Sequence, residues 1–358
     1  MKLRRYCILT FLLILTVGCI MVLQGLSPEK PSESPVPTKL SSDLRIILGG
    51  DIFVGERMHS RFQINGMDSN VRGISKINQK ADLHFANLEA PITSWDTAGV
   101  DKQYHLRSSP THTTKLLKKL NVNGVTLANN HILDYGSEGL FETIKYLERT
   151  QILHTGAGVH EERASKPIYF EKEGNKVGLV SFSNTFPRSF WATQDQPGAA
   201  YGSPEQVRRR VKEITRNADY AIVSFHWGNE LDTRPKRYQR RLARLAVDSG
   251  ADVVFGHHPH SIQPFEEYRD GLIFYSLGNY FFTTMSNDVD YGLMADITFR
   301  PKQKPEVRFH VLNINNYQVD YRPRVELSFK DARTLSQFFN RPNFYQIAYH
   351  ARTKNDDR

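Results

Sequence analysis

Short apolar runs alternate with helical patterns between residues 44 and 291. The runs are rich in β-branched and aromatic residues, whereas the segments between them repeat apolar positions with a helical period. Strands are predicted at 44–48, 81–86, 124–128, 168–170, 177–182, 220–225, 253–255 and 272–275, and helices at 113–120, 137–149, 204–215 and 237–247. This alternation predicts an α/β layered fold.

The amino end has a different pattern. Lys2, Arg4 and Arg5 precede an apolar run from 7 to 26, and about 20 apolar residues span a bilayer core. The basic flank should remain cytoplasmic, so residues 1–26 are predicted to be an uncleaved transmembrane signal-anchor with the rest of the chain outside the cell. A lipoprotein signal at Cys19 and a cleaved secretory signal are the alternatives.

A spacer and a folded region follow the apolar run. Residues 27–43 are rich in proline and serine, which predicts an extended linker that holds a domain away from the membrane. The main domain is predicted at 44–285. Residues 286–358 should complete it with strands at 295–299 and 307–314 and a last helix at 330–339.

Charge and cysteine content narrow the function classes. The formal net charge of the 358 residues is +9, which favours anionic partners such as a wall polymer, anionic lipid or nucleic acid. Cys7 and Cys19 are the chain's two cysteines, so the folded part has no disulfide, cysteine-ligated zinc, iron–sulfur cluster or cysteine nucleophile. Any metal site there must use His, Asp, Glu or Asn.

Polar clusters follow five of the predicted strands. They are Gly49-Gly50-Asp51, Asn87-Leu88-Glu89, Asn129-Asn130-His131, His226-Trp227-Gly228 and His257-His258-Pro259-His260. Ligands of open α/β sheets collect outside the carboxyl ends of the strands, so these clusters are expected to converge on one crevice. Three imidazoles within four residues favour a metal site, and the whole set contains the ligand types of a two-metal phosphoesterase.

These motifs, in this order, resemble the CapA/PgsA family of bacterial poly-γ-glutamate capsule synthesis proteins, a branch of the calcineurin-like metallophosphatases. The resemblance covers about residues 44–285. The matching stretches are Gly50-Asp51, Asn87–Thr93, Leu127–Gly136, Gly156–Gly158, Phe225–Glu230, Gly256–His260 and Tyr275–Tyr280.

The resemblance implies a four-layer α/β/β/α metallophosphatase-like sandwich with divalent metal ions between the sheets. Mn²⁺ and Zn²⁺ best match the ligand types, and two ions are the number in the family pattern. The metal ligands implied are Asp51, Glu89, Asn130, His226, His258 and His260. His131 takes the catalytic place, as a proton donor or substrate-binding residue. Asn87, Asn129, His257 and Asn279 are candidates for substrate contacts or for supporting the ligands.

Two departures from the general phosphatase pattern leave the number and identity of the metals, and catalytic activity itself, open. Phe53 stands where a histidine normally follows the first aspartate by two residues. The Asn87–Glu89 element replaces the usual second aspartate.

Three functions follow from this reading. The first is a membrane-anchored part of a poly-γ-glutamate synthesis or export machine, with that machine's membrane proteins and an anionic polymer as partners. The second is an extracytoplasmic metal-dependent phosphoesterase with another substrate, and the third is a metal-stabilised binding module without turnover. Nucleic acid is not an expected partner, because the arginines at 208–210, 240–241 and 244 are predicted to be solvated helix faces.

Overall fold

The computed structural model describes residues 42–285, 288–300 and 303–330, and these form an α/β fold, as predicted. The strands are β1 (Leu44–Phe53), β2 (Leu83–Leu88), β3 (Gly124–Thr126), β4 (Leu153–Thr155), β5 (Ala157–Gly158), β6 (Ile168–Lys172), β7 (Asn175–Ser183), β8 (Gly198–Ala199), β9 (Tyr220–His226), β10 (Val253–His257), β11 (Phe265–Tyr268), β12 (Gly271–Phe274), β13 (Asn279–Phe282), β14 (Tyr291–Phe299), β15 (Glu306–Asn313) and β16 (Arg324–Phe329). The helices are α1 (Glu56–Asn65), α2 (Met67–Asn78), α3 (Pro110–Lys119), α4 (Gly136–Arg149), α5 (Glu161–Ala164), α6 (Pro204–Asn217), α7 (Arg237–Asp248) and α8 (Asn316–Val319).

Two mixed sheets carry the fold. The larger has the strand order β16-β15-β14-β1-β2-β3-β4, with β13 paired to the end of β1, and the smaller has the order β11-β12-β10-β9-β7-β6. The strands β1, β2, β3 and β4 are mutually parallel, and so are β7, β9, β10 and β12. Each sheet therefore gathers several strand carboxyl ends along one edge.

Alternating side chains on the strands bury both faces of each sheet. Leu44, Ile46 and Leu48 pack with the smaller sheet in one hydrophobic cluster, while Ile47 packs on the opposite face with α1 to α4. A third cluster joins the outer face of the smaller sheet to α6 and α7. The clusters thus place the two sheets face to face, with helices on the outside of each.

The predicted strands and helices that fall in the described residues are confirmed, with shifts of a few residues at their ends. Helix α3, for example, begins at Pro110 rather than at 113. The predicted helix at 330–339 is outside the described part apart from its first residue, and the apolar run at 7–26 is entirely outside it. No helix in the described residues is long and apolar enough to cross a bilayer.

Candidate metal centre

The register of the strands brings the polar clusters together. On the larger sheet, Asp51 of β1 is opposite Asn87 of β2 and also opposite Asn279 of β13. On the smaller sheet, His226, the last residue of β9, is opposite His257, the last residue of β10. The clusters of both sheets consequently meet where the strands end.

Close packing of the backbone fixes the position of Asp51. A Cβ atom on Gly50 would lie 1.9 Å from the carbonyl oxygen of Gly278, so only glycine fits at this point. The Asp51 amide donates a hydrogen bond to that same carbonyl oxygen at 3.0 Å. The glycine that precedes the aspartate therefore lets β1 approach the loop before β13 and directs the carboxylate into the site.

Two groups of side chains could each hold a metal ion, and Glu89 belongs to both. One group contains Asp51, Glu89 and His260, and the other contains Glu89, His226 and His258; the ligand atoms of each group lie within 4.8 Å of one another. Glu89 Oε1 is 3.5 Å from His260 Nε2 and 3.7 Å from His226 Nε2. A carboxylate in this position can bridge two cations.

The unsatisfied atoms of the centre fit a divalent cation. Glu89 Oε1 and His258 Nδ1 are buried and have no hydrogen-bond partner. His257 Nδ1 lies 2.9 Å from Asp51 Oδ1 but makes no aligned hydrogen bond. Buried carboxylate and imidazole atoms without partners cost free energy, and coordination of a cation would remove that cost.

The electrostatics point the same way. Burial opposes the ionisation of Asp51, but the adjacent imidazoles of His257 and His260 hold its pKa well below the usual range. Burial and the Asp51 charge raise the pKa of Glu89 well above its usual range. Two buried carboxylates in one site ionise together only when positive charge lies beside them, and here that charge can come from His260 or from a bound cation.

The histidines of the second group are held in the neutral form that binds metals. Burial, followed by the charge of His258, lowers the pKa of His226 well below its usual value. Burial and the charge of His260 lower the pKa of His258 to about 3. Asn130 Oδ1 accepts a hydrogen bond from His226 Nε2 at 2.8 Å, so the amide oxygen lies beside this group.

His260 differs from these two because it faces carboxylates. Burial lowers its pKa, but the charge of Glu89 and that of Asp51, whose Oδ2 is 3.3 Å from His260 Nδ1, outweigh burial and raise the pKa to about 10. Its Nδ1–H donates to Asn279 Oδ1 at 2.8 Å, which leaves Nε2 directed towards Glu89. Such an outer partner fixes the ring orientation of a metal-binding histidine, and here Asn279 is that partner.

Asn87 and Asn129 hold the carboxylates in position, Asn87 directly and Asn129 through its contact with Asn87. Asn87 Nδ2 donates to Asp51 Oδ1 at 2.9 Å and lies 3.5 Å from Glu89 Oε2, while its Oδ1 faces Thr126 Oγ1 and Asn129 Nδ2. Because Thr126 and Asn129 both donate to Oδ1, the orientation of the Asn87 amide group is fixed. In this structure Asn87 therefore presents its NH₂ group, and not its oxygen, to the carboxylates.

His131 lies next to the centre but belongs to neither ligand group. Its Nδ1–H donates to Asp134 Oδ2 at 2.6 Å, and its backbone amide donates to Asn129 Oδ1 at 3.1 Å. Burial lowers the pKa of His131, while Asp134 acts in the opposite direction. With Nδ1 bound in this way, Nε2 is the atom available for proton transfer.

Lys102 and Asp134 contact His131, although no sequence motif marked either of them as a site residue. Lys102 Nζ donates to Asp134 Oδ1 at 2.8 Å and to the Asn130 carbonyl at 2.6 Å, and it is 3.1 Å from His131 Nδ1. Asp134 lies within the family-like stretch 127–136, three residues after His131, and that spacing could have indicated the contact. Lys102 lies in a stretch without regular structure, and no pattern marked it.

Comparison with known proteins agrees with the motif resemblance. The model of the family described as "Bacterial capsule synthesis protein PGA_cap" matches residues 45–284. The capsule biosynthesis protein CapA of Bacillus anthracis is 33% identical over 256 residues, covering 70% of this chain and 62% of that protein. The PGA biosynthesis protein CapA of Bacillus subtilis (strain 168) is 31% identical over 319 residues, covering 87% of this chain and 82% of that protein.

Among solved structures, the chain is similar to one described as a novel phosphatase from Mycoplasma pneumoniae. The TM-score is 0.48 and the identity 14%, over 78% of this chain and 97% of that chain. The family match spans more than half of the sequence and contains all of the residues of the candidate centre. The chain therefore belongs to the bacterial capsule synthesis protein PGA_cap family.

Proposed function

We propose that this protein acts in poly-γ-glutamate capsule biosynthesis through a divalent-metal centre at the strand ends of its two sheets. The observation that carries the proposal is the pair of ligand groups that share the buried Glu89. The names of the two Bacillus relatives supply the pathway.

Asp51, Glu89 and His260 would hold one cation, and Glu89, His226 and His258, with Asn130 beside them, the other. Mn²⁺ and Zn²⁺ suit carboxylate and imidazole ligands. Bound there, the metals would polarise an ester or phosphoryl group and lower the pKa of water.

The chain's own residues would manage the proton and the geometry. His131, oriented by Asp134 and Lys102, is placed to hold the substrate or to donate a proton through Nε2. Asn87 and Asn279 keep Asp51 and His260 in position. These contacts support a catalytic role over simple metal storage.

A strain that makes poly-γ-glutamate, with its own CapA gene deleted, tests the role. Asp51→Ala should fail to restore polymer, because it removes a metal ligand and one of the two carboxylate charges of its ligand group. Asp195→Ala removes an exposed carboxylate and should restore polymer fully. Equal polymer from the two variants, at equal protein levels, would contradict the proposal.

We also propose that the anchor at 1–26 holds the domain outside the cell, beside membrane proteins of polymer synthesis and export. The basic flank and the length of the apolar run support this placement. Fractionation should recover the protein in the membrane, with the domain cleaved by protease added to intact protoplasts. A soluble form that starts near residue 27 would refute an uncleaved anchor, and release by Cys19→Ala would instead indicate lipidation.

The pairing of His131 with Asp134 favours a second candidate, a metal-dependent phosphoesterase with another substrate. Purified protein with Mn²⁺ should then hydrolyse bis-p-nitrophenyl phosphate. No turnover with any divalent metal, together with loss of polymer in Asp51→Ala, would leave an assembly or binding role.

A further inference from the structure

A cleft of about 1120 Å³ opens from the metal centre. Asn130 and His258 belong to its lining, and the rest comes from α6, α7 and the loops after β7, before α6 and after β9. Three arginines from three different elements line it: Arg188 from a short turn, Arg208 from α6 and Arg241 from α7. Because they come from separate elements, they form a cluster created by the fold and not the charged face of one helix.

Three neighbouring arginines of α6 and α7, in contrast, are paired with carboxylates. On α6, Arg209 pairs with Glu162 at 2.8 Å, and Arg210, which is buried and not solvated as expected, pairs with Glu162 and Glu213 at 2.6 Å. On α7, Arg244 pairs with Glu266 at 2.9 Å.

The arginines of the cleft have no such partners. Within the described part of the chain, the side chains of Arg208 and Arg241 have neither an ion pair nor a hydrogen bond. The Arg188 guanidinium lies over the rings of Phe186 and Trp191, at 5.8 and 5.7 Å, and has no ion pair there. Guanidinium groups left unpaired in a concave surface have their donors free for an anionic ligand.

Aromatic side chains lie between the charges. Trp191 stacks on Tyr201 with ring centroids 4.1 Å apart, and Phe186 beside it is 67% exposed. Glu230 is the one acidic side chain among the described residues that line the cleft. A ligand that fits this lining has several anionic groups separated by short apolar stretches, which the aromatic rings can cover.

We propose that Arg188, Arg208 and Arg241 form a binding track for an extended polycarboxylate chain and lead it to the metal centre. This inference rests on the proposed function for the choice of carboxylate over phosphate. Arginine binds both groups through paired N–H donors, so the cleft itself specifies a polyanion. The volume of the cleft and the origin of its three charges on separate elements favour a polymer segment over a single small anion.

Binding of fluorescently labelled poly-γ-glutamate oligomers to the full-length protein in detergent tests the track. Fluorescence anisotropy should show that Arg188→Gln, Arg208→Gln and Arg241→Gln each raise Kd about tenfold, the effect of losing one hydrogen-bonded charge. Arg209→Gln and Arg240→Gln remove the same charge from the same two helices but outside the cleft, and should change Kd less than about twofold.

Equal loss of binding in the cleft variants and the two controls would overturn the proposal, because it would show attraction by net charge alone. Unchanged binding in all three cleft variants, with unchanged melting temperatures, would overturn it as well. A polyglycerol phosphate of equal charge is the second probe. If it binds more tightly and with the same dependence on the three arginines, the commitment to a polycarboxylate is wrong.

The two proposals can fail separately. Asp51→Ala leaves the cleft arginines in place, so in metal-free buffer, where no cation of the centre can bind the oligomer, its Kd should stay within about twofold of wild type. If that variant makes normal amounts of polymer while the arginine variants lose binding, the role of the metal centre fails and the track stands. If it abolishes polymer while the arginine variants bind normally, only the track fails.

Discussion

At the scale of single residues, Glu89 is a residue of the centre whose charge is strongly affected by its surroundings. It is fully buried, it belongs to both ligand groups, and its Oε1 has no hydrogen-bond partner. Burial and the neighbouring Asp51 favour its protonated form, whereas a cation would favour the carboxylate. The acidity of this one side chain therefore depends on whether metal is bound.

Removal of two imidazoles should empty the centre. His258→Ala combined with His260→Ala takes one ligand from each group, so purified protein should retain little Mn²⁺ or Zn²⁺ by elemental analysis. His59→Ala combined with His112→Ala removes another contacting pair, whose ring centroids are 3.8 Å apart, and should leave metal content unchanged. Equal metal in both double variants would show that the ligands lie elsewhere.

His131 separates catalysis from metal binding. His131→Ala should lower phosphodiester turnover about 10²–10⁴-fold, as expected for a general acid, and should keep its metal. Asp134→Asn should also lose activity because it disturbs the ring's orientation and tautomer. If His131→Ala loses metal along with activity, the histidine is a ligand and its assignment is wrong.

At the scale of elements, the sequence predicted most strands of the two sheets because each is a short apolar run. It missed β4, β11 and β16, which lie at sheet edges, and β13, which pairs with the end of β1. It did not predict α1 and α2, which lie between β1 and β2. Their buried apolar residues are few, and Gly66, with φ of 72°, breaks the helical repeat between them. Their position follows from packing on the larger sheet, which no local pattern reveals.

The candidate site, too, has residues whose meeting the sequence predicts and residues whose meeting it does not. The ligand clusters follow strands directly, so topology alone predicts that they meet. The contact of Lys102 with His131, 29 residues away, depends on how the loop before α3 folds over the site. Likewise, the sequence did not separate Arg208 from Arg209 and Arg210, because only the fold decides which of them meets a carboxylate.

His84 links β2 to the end of α3, and this link should make stability depend on pH. The ring is fully buried and its Nδ1–H donates to the Leu120 carbonyl at 2.9 Å. Burial, only partly offset by that hydrogen bond, lowers its pKa to about 4 from a usual 6.5. The unfolded chain therefore binds this proton more readily, and stability is lost as pH falls from 6.5 towards 4.

The loss should amount to about 3 kcal/mol over that range, from 1.36 kcal/mol per unit of pKa difference. His84→Asn retains a donor in the place of Nδ1 but does not titrate. Urea unfolding at pH 7.5 and pH 4.5 should show a smaller difference for the variant by about that amount. The same pH dependence in both proteins would exclude His84 as the cause.

At the scale of the whole molecule, the two sheets contribute ligands from distant parts of the chain. The backbone amide of His258 donates to Asp51 Oδ2 at 3.3 Å across a separation of 207 residues. The centre thus forms only when both sheets have folded and packed. The family resemblance was predictable from the order of the motifs, whereas the cleft beside the centre was not, because its lining comes from segments with no shared pattern.

A cation that binds this assembled centre, and not the unfolded chain, must raise the free energy of unfolding by mass action. Above the dissociation constant, each tenfold increase in free metal should add about 1.4 kcal/mol per ion bound, so the slope of stability against metal concentration counts the ions. Calorimetry in Mn²⁺ buffers would measure it, and His258→Ala with His260→Ala should flatten it. A centre assembled from residues this far apart in the sequence would then protect the chain from proteases only while metal is bound, so metal scarcity would limit the protein's lifetime as well as its chemistry.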